Sequence, residues 1–174
     1  MRSGPACAFL ILFFLFCPAD PPGPADAAET PPASADTAKA VLRVYDWKSG
    51  AIYLDAPVRT GGRLSFRWVH SLEKFPWSEY YNISADRTLV LDAISFPAFG
   101  AGVPADKGRV CRIESGLIHM EKINQKFSEL VWLNSHTATR EILLDGAEVV
   151  RGEDLPNHVR LRLVIEKGYG DGSN

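Results

Sequence analysis

Alternation of apolar and polar positions is the dominant pattern between residues 39 and 170. Near the C-terminus, apolar residues at positions 159, 161, 163 and 165 alternate with Arg160 and Arg162, which places the two arginines on the outer face of a half-buried strand. Similar patterns predict strands over residues 41–46, 51–55, 64–70, 77–84, 88–95, 110–114, 117–123, 129–134, 141–144, 147–150 and 159–165. No window shows the period of a long amphipathic helix. The pattern therefore predicts an all-β fold, a single compact antiparallel β-sandwich or partly open barrel.

The segment 64–84 (LSFRWVHSLEKFPWSEYYNIS) predicts an aromatic hairpin with residues 72–76 in its loop. Both apolar rows stay on one face for only one parity of pairing, because a slip of one residue turns a row outward. The predicted opposed pairs are 64 with 83, 66 with 81, 68 with 79 and 70 with 77. This register places His70 diagonally from Glu79, with Trp68 and Trp77 as the walls of a candidate pocket.

A carboxylate packed against two tryptophans needs a hydrogen bond or a cationic partner. His70 is the candidate partner of Glu79, because Arg67 lies on the opposite face. Such a pair suits a ligand pocket, a proton-transfer site or half of a metal site. It also suits a structural pair that fixes the hairpin, and the residues alone favour this structural interpretation. Glu73 and Lys74, in the loop, are expected to be solvated charges.

A second segment of interest is the loop FGAGVP, residues 99–104. Gly100 and Gly102 permit positive φ or close backbone approach, and their amides are candidate donors to an anion or a ligand carboxylate. The strand–turn–helix context of a dinucleotide site is missing, so an irregular loop is the default. The apolar flanks Phe96, Phe99 and Val103 predict that the loop packs onto the domain.

Motifs for the common catalytic and metal sites are not found. Ser71 lies outside any GxSxG elbow, and the chain has no HExxH and no CxxC. The four histidines fall on different predicted strands or turns, so the sequence predicts no metal site and no cofactor. The formal net charge is −2 without a basic block, which argues against nucleic acid as a partner.

Residues 1–27 predict a cleavable signal peptide. Arg2 precedes an uncharged apolar run over residues 8–16, which is shorter than the roughly 20 residues that cross a bilayer. The sequence ADA at 25–27 fits a cleavage site, and CPA at 17–19 is an alternative. We therefore expect export to the periplasm. Lipidation of Cys17 is disfavoured because the three residues before it are bulky.

The remaining chain divides by composition. Residues 28–38 are rich in proline and alanine and predict a disordered leader; residues 39–170 form the β domain, and 171–174 a disordered tail. No second apolar stretch is long enough to span a membrane, so the mature protein is predicted to have no membrane span. Signal cleavage would leave Cys111 as the single cysteine, and its apolar neighbours predict a buried thiol.

The motifs HSLEK at 70–74, Pro76, Glu79 and GAGVP at 100–104 together resemble a bacterial family, domain of unknown function 1850. The resemblance is carried by residues 62–104. It implies a small exported protein encoded beside TRAP-type transporters, especially those with a TAXI-type solute receptor. It marks the following as candidate functional positions: His70, Ser71, Glu73, Glu79, Gly100, Gly102 and Pro104. The chain departs from the family pattern at Phe99, where a small or polar residue is more usual.

Three hypotheses follow. The leading one is a non-enzymatic periplasmic accessory protein of a TRAP-type transporter. It would bind a small organic solute, the receptor or the permease through the end that carries His70, Glu79 and the GAG loop (residues 99–103). The second is a hydrolase- or isomerase-like enzyme that uses His70 and Glu79 as an acid–base pair and requires both in an open cleft. The third is a structural envelope protein, in which both residues only stabilise the fold.

Overall fold

The structure is a computed structural model that describes residues 40–168, and the predicted signal peptide, leader and tail lie outside these residues. The strands are β1 (Ala40–Asp46), β2 (Ile52–Val58), β3 (Arg63–Val69), β4 (Pro76–Ile83), β5 (Leu89–Phe96), β6 (Val110–Glu114), β7 (Leu117–Glu121), β8 (Gln125–Phe127), β9 (Glu129–Leu133), β10 (Thr139–Leu144), β11 (Ala147–Arg151) and β12 (Arg160–Lys167). A short 3₁₀ turn covers Gly152–Asp154. Within this part of the chain, no helix is long and apolar enough to cross a membrane.

The strands form two antiparallel sheets. The smaller has the order β2-β1-β12-β9, and the larger has the order β11-β10-β3-β4-β5-β7-β6, with β8 paired to β5. The two sheets pack face to face and do not close into a barrel within residues 40–168. This arrangement confirms the predicted all-β, antiparallel β-sandwich.

The core lies between the sheets and is built from alternate residues of most of the strands. Leu161, Leu163 and Ile165 of β12 point inward, while Arg160 and Arg162 face outward, as the sequence predicts. The larger sheet contributes the opposite wall, which includes Leu64, Tyr81, Ile83, Leu89, Leu91, Ile94, Phe96, Ile118, Met120 and Ile142. Arg67 lies on the outer face of β3, where its guanidinium binds Glu141 at 2.7 Å.

Among the strands of residues 40–168, β8 is the one that the alternation pattern does not predict, because three residues are too few to show a period. Strand β5 pairs with β8 over residues 89–91 and with β7 over residues 94–96, so β8 and β7 follow one another along the same edge of β5. Asp92 lies between these two ladders at a register shift, and its carbonyl accepts a hydrogen bond from the amide of Ile123 at 3.0 Å. Asp92 is thus the extra residue of a β-bulge, and it lies between the part of β5 that pairs with β8 and the part that pairs with β7.

The prediction of a buried Cys111 is wrong. Cys111 lies on β6, the last strand of the larger sheet, and its thiol is free and exposed. Ile113, two residues further on, is 76% exposed. The alternation along β6 is therefore not a sign of burial, because the smaller sheet does not cover this edge.

Asn134 connects the end of β9 to the segment before β12. Its side chain is fully buried, and its amide nitrogen lies within hydrogen-bond distance of the carbonyls of Gly152 (3.0 Å), Leu155 (3.3 Å) and Pro156 (2.9 Å). Its amide oxygen accepts from the indole N–H of Trp132 at 3.4 Å. One side chain thus satisfies backbone groups of a buried connection, which would otherwise lose free energy on burial.

We predict that Asn134→Ala lowers the free energy of unfolding by about 2 kcal/mol, because buried carbonyls lose their donor. Urea denaturation measures the change. Asn82→Ala is the matched control, since Asn82 is half-buried on β4 and its side chain makes no hydrogen bond among the described residues. Its expected effect is within about 0.5 kcal/mol. Equal effects of the two substitutions would contradict the role given to Asn134.

Candidate functional site

The turn between β3 and β4 is a short loop closed by His70 and Phe75. The amide of His70 donates to the carbonyl of Phe75 at 2.8 Å, and the amide of Lys74 donates to the carbonyl of His70 at 2.8 Å. Lys74 has a φ of 58°, a left-handed conformation that completes the turn. The loop therefore covers residues 71–74, and Pro76 already belongs to β4, opposite Val69.

The observed register of this hairpin differs from the predicted one by two residues. Trp68 pairs with Trp77 and Phe66 with Glu79, so all four predicted pairs are wrong. The sequence interpretation assigns Pro76 to the loop, whereas proline also suits the first residue of a strand, where its missing N–H is tolerated. A shift of two keeps the parity of the pairing, so the predicted inward-facing rows are correct.

The register separates His70 from Glu79. No hydrogen bond or ion pair joins the two side chains in the described part of the chain. Nδ1 of His70 instead lies 3.3 Å from the amide nitrogen of Glu73, while Glu79 binds Trp77 and Tyr81. The acid–base pair on which the enzyme hypothesis depends is therefore not assembled.

His70 is buried among aromatic rings. It is 8% exposed and stacks on Trp68 and Phe75, with ring centroids 5.8 and 5.4 Å apart. Nδ1 accepts the Glu73 amide, so the neutral ring carries its proton on Nε2. Nε2 faces the GAG loop, since a Cβ built on Gly102 would lie 3.7 Å from it. The imidazole thus packs between the β3–β4 turn and the GAG loop.

The GAG loop contains a β-turn. The amide of Val103 donates to the carbonyl of Gly100 at 3.2 Å, and Gly102, the third residue, has a φ of +79°. Positive φ at this position is what a type II turn requires, and glycine adopts it without the steric cost of a Cβ. Half-buried Val103 packs against the core, which confirms that the loop lies on the domain.

Glu73 connects this turn to the hairpin. Its Oε1 accepts a hydrogen bond from the amide of Ala101 at 2.7 Å, and a Cβ on Gly100 would lie 2.5 Å from its carboxyl group. The carboxylate held by the loop is therefore the protein's own. Glu73 is exposed, as expected for a solvated charge, and it also accepts this hydrogen bond. We call the β3–β4 turn (70–75) and the GAG loop (99–103), joined in this way, the loop pair.

The loop pair exposes two large apolar side chains. Leu72 is 65% exposed and Phe99 is 54% exposed. They are the chain neighbours of Glu73 and Gly100, which contact each other, so both belong to the same end of the sandwich. Ser71 is also exposed there, and its side chain makes no hydrogen bond in the described part of the chain.

Glu79 lies on the inner face of β4. Its Oε2 accepts a hydrogen bond from the Tyr81 hydroxyl at 2.5 Å, and its Oε1 accepts one from the Trp77 indole N–H at 3.2 Å. Burial, together with the negative charge of Glu79, raises the pKa of Tyr81 well above its usual range. Tyr81 therefore acts as a hydrogen-bond donor to the carboxylate over the physiological pH range.

The Glu79 carboxylate borders a cavity of about 390 Å³. Besides Glu79, the cavity is lined by Phe66, Trp68, Tyr81, Leu91, Lys107, Phe127, Glu129, Leu130, Val131, Trp132, Leu133, Ala138 and Thr139. Trp68 lines this cavity, which is not the His70 pocket that the sequence predicts. Trp77 does not line it: Trp77 is buried, stacks on Phe96 at 4.8 Å and reaches Glu79 through its indole N–H.

Most residues that line this cavity are not among the site residues that the sequence predicts. Tyr81 and Phe66 belong to the predicted hairpin, and their inward-facing positions in the alternation pattern are the one signal that points to them. Trp132 and Phe127 come from β9 and β8, far along the chain, and no motif links them to Glu79. Among residues 40–168, no group of three or more His, Cys, Asp or Glu side chains is arranged to hold a metal ion.

The fold and these two features define a small antiparallel β-sandwich with a hydrogen-bonded loop pair at one end and a cavity between its sheets. The model of the family described as domain of unknown function (DUF1850) matches residues 64–150, which is half of the chain. The chain belongs to this family. The matched region begins in β3 and ends in β11, so it contains both the loop pair and Glu79.

No curated protein and no solved structure matches the chain significantly.

The geometry predicts that position 100 needs a glycine because any side chain there would collide with the Glu73 carboxylate. Gly100→Ala should cost about 1 kcal/mol of unfolding free energy, because the new Cβ displaces the carboxylate from the Ala101 amide. In a Glu73→Ala background the same substitution should cost almost nothing. Gly102→Ala is the control: its penalty comes from positive φ, about 1–2 kcal/mol, and should be the same in both backgrounds. Denaturant unfolding of the double-mutant cycle measures the coupling.

Additive costs of Gly100→Ala and Glu73→Ala would show that the two residues do not depend on each other.

Proposed function

We propose that this protein is an exported, non-enzymatic accessory protein of a TRAP-type transporter with a TAXI-type receptor, and that it contacts the receptor or the permease through the loop pair. The observation that carries the proposal is the loop pair itself, in which family motifs fix two loops that expose Leu72 and Phe99. Periplasmic location is part of the proposal and rests on the signal-peptide pattern of residues 1–27.

The loop pair exposes apolar side chains on two loops that contact each other. Loops are the usual carriers of binding residues, and binding is strongest where the free protein already holds the bound conformation. The Glu73–Ala101 hydrogen bond and the stacked His70 ring hold both loops in place. An exposed leucine and an exposed phenylalanine on such a support offer apolar contact area to another protein.

Separation of His70 from Glu79 favours this function over the enzyme. An acid–base mechanism needs both groups within reach of one substrate. Here the His70 ring is enclosed by Trp68 and Phe75, and its Nδ1 is engaged with the Glu73 amide. The loop pair thus supplies contact surface and no paired proton donor and acceptor.

We expect Leu72→Ser combined with Phe99→Ser to weaken binding to the purified receptor or permease by at least about tenfold, because apolar contact area at the centre of an interface is lost. Biolayer interferometry with each transporter component measures this, alongside solute uptake by cells that carry the variant. Ile113→Ser is the matched control, since Ile113 is equally apolar and exposed but lies on β6. It should leave binding and uptake unchanged.

Both sites are exposed, so the melting temperatures of these variants should stay close to that of the parent protein. Undiminished binding by the double variant would contradict the proposed surface. Normal uptake with no binding to either component would instead support the structural envelope protein.

A further inference from the structure

The cavity between the sheets has a volume of about 390 Å³ and is partly open to solvent. That volume lies in the range of small-molecule sites, about 300–1,000 Å³. All five residues of β9 line it, and β9 is the last strand of the smaller sheet. The cavity therefore extends to a sheet edge, where a solute can enter.

The walls of the cavity are mainly aromatic. Phe66 and Trp132 come from opposite sheets and lie with ring centroids 5.2 Å apart. Trp68, Tyr81 and Phe127 complete the aromatic lining, with Tyr81 and Phe127 in an edge-to-face contact at 6.0 Å. Faces of tryptophan, tyrosine and phenylalanine carry partial negative charge and attract cations, tryptophan most strongly.

Glu79 adds a full negative charge to these walls. Both of its oxygens accept hydrogen bonds, but the donors are the Trp77 indole and the Tyr81 hydroxyl, which are neutral groups. Among residues 40–168, no salt bridge involves Glu79. These neutral donors satisfy the oxygens but do not neutralise the charge, so a cation bound beside Glu79 would gain an attraction that a neutral solute lacks.

Other charged groups at the cavity do not neutralise Glu79. Glu129 on β9 is already within 3.6 Å of Arg162. Lys107 contributes to the lining but forms no salt bridge with either carboxylate, and its backbone amide contacts the sulfur of Met120 at 3.4 Å. An anionic solute would therefore meet Glu79, and a neutral one would leave its charge uncompensated.

We propose that this cavity binds a small organic cation, an ammonium group with apolar substituents, between the aromatic walls and the Glu79 carboxylate. The inference does not rest on the transporter role, because the cavity and the loop pair use different residues. Glu79 provides the counter-charge, Trp68 and Trp132 provide aromatic faces, and the edge at β9 provides entry.

The test uses three probes of nearly equal shape that differ in charge: choline, its uncharged carbon analogue 3,3-dimethylbutan-1-ol, and 3,3-dimethylbutanoate. Isothermal titration calorimetry on the purified protein should show choline binding at least about tenfold tighter than either of the others. Tryptophan fluorescence should change with the same dissociation constant, because two tryptophans line the cavity. Equal affinity for the alcohol or the anion, or no choline binding at millimolar concentrations, would overturn the proposal.

Two substitutions locate the site. Glu79→Gln removes the charge at nearly constant volume and should weaken choline binding by at least about tenfold while leaving the weak binding of the alcohol unchanged. Trp132→Leu should weaken choline binding several-fold. It is the second test of the site if circular dichroism shows that Glu79→Gln does not fold. Glu114→Gln on exposed β6 is the control and should bind choline as the parent protein does. Full choline affinity in folded Glu79→Gln would place the site elsewhere and contradict the proposal.

Discussion

Burial of one apolar row from most strands against the facing sheet is the constraint on which the rest of the structure depends. It requires Leu64 and Phe66 of β3 and Tyr81 of β4 to point inward, and it leaves Arg67 on the outer face. Glu79 belongs to the inward row of β4, so the same constraint brings a carboxylate between the sheets. The hydrogen bonds from Trp77 and Tyr81 are the local adjustment that makes this position tolerable.

The sequence allowed the strands and their inner faces to be predicted, because alternation with period two marks them directly. It did not allow the hairpin register to be predicted, since a shift of two residues leaves every side chain on the same face. The difference depends on Pro76, which lies within β4 and not in the loop. Alternation also misled at Cys111, because a pattern along one strand carries no information on whether another sheet covers it.

The candidate site was predicted only in part, because some of its residues come together only through the tertiary fold. His70, Glu73, Gly100 and Gly102 are brought together, but Glu79 lies elsewhere. The cavity beside Glu79 combines β3 and β4 with β8 and β9, whose residues are about fifty positions away in the chain. Only the fold brings such residues together, and no local motif records it. Sequence motifs here mark the loop contacts, and the chemistry of the cavity depends on tertiary packing.

The contact between Glu73 and Gly100 has a consequence for how this family can vary. The carboxylate occupies the space that a side chain at position 100 would fill, and the backbone at that position does not itself require glycine. The side chain tolerated at either position therefore depends on the residue at the other. In homologous chains, loss of the acidic residue at the position of Glu73 should free the position of Gly100 to diversify, whereas the position of Gly102 should remain glycine in both groups.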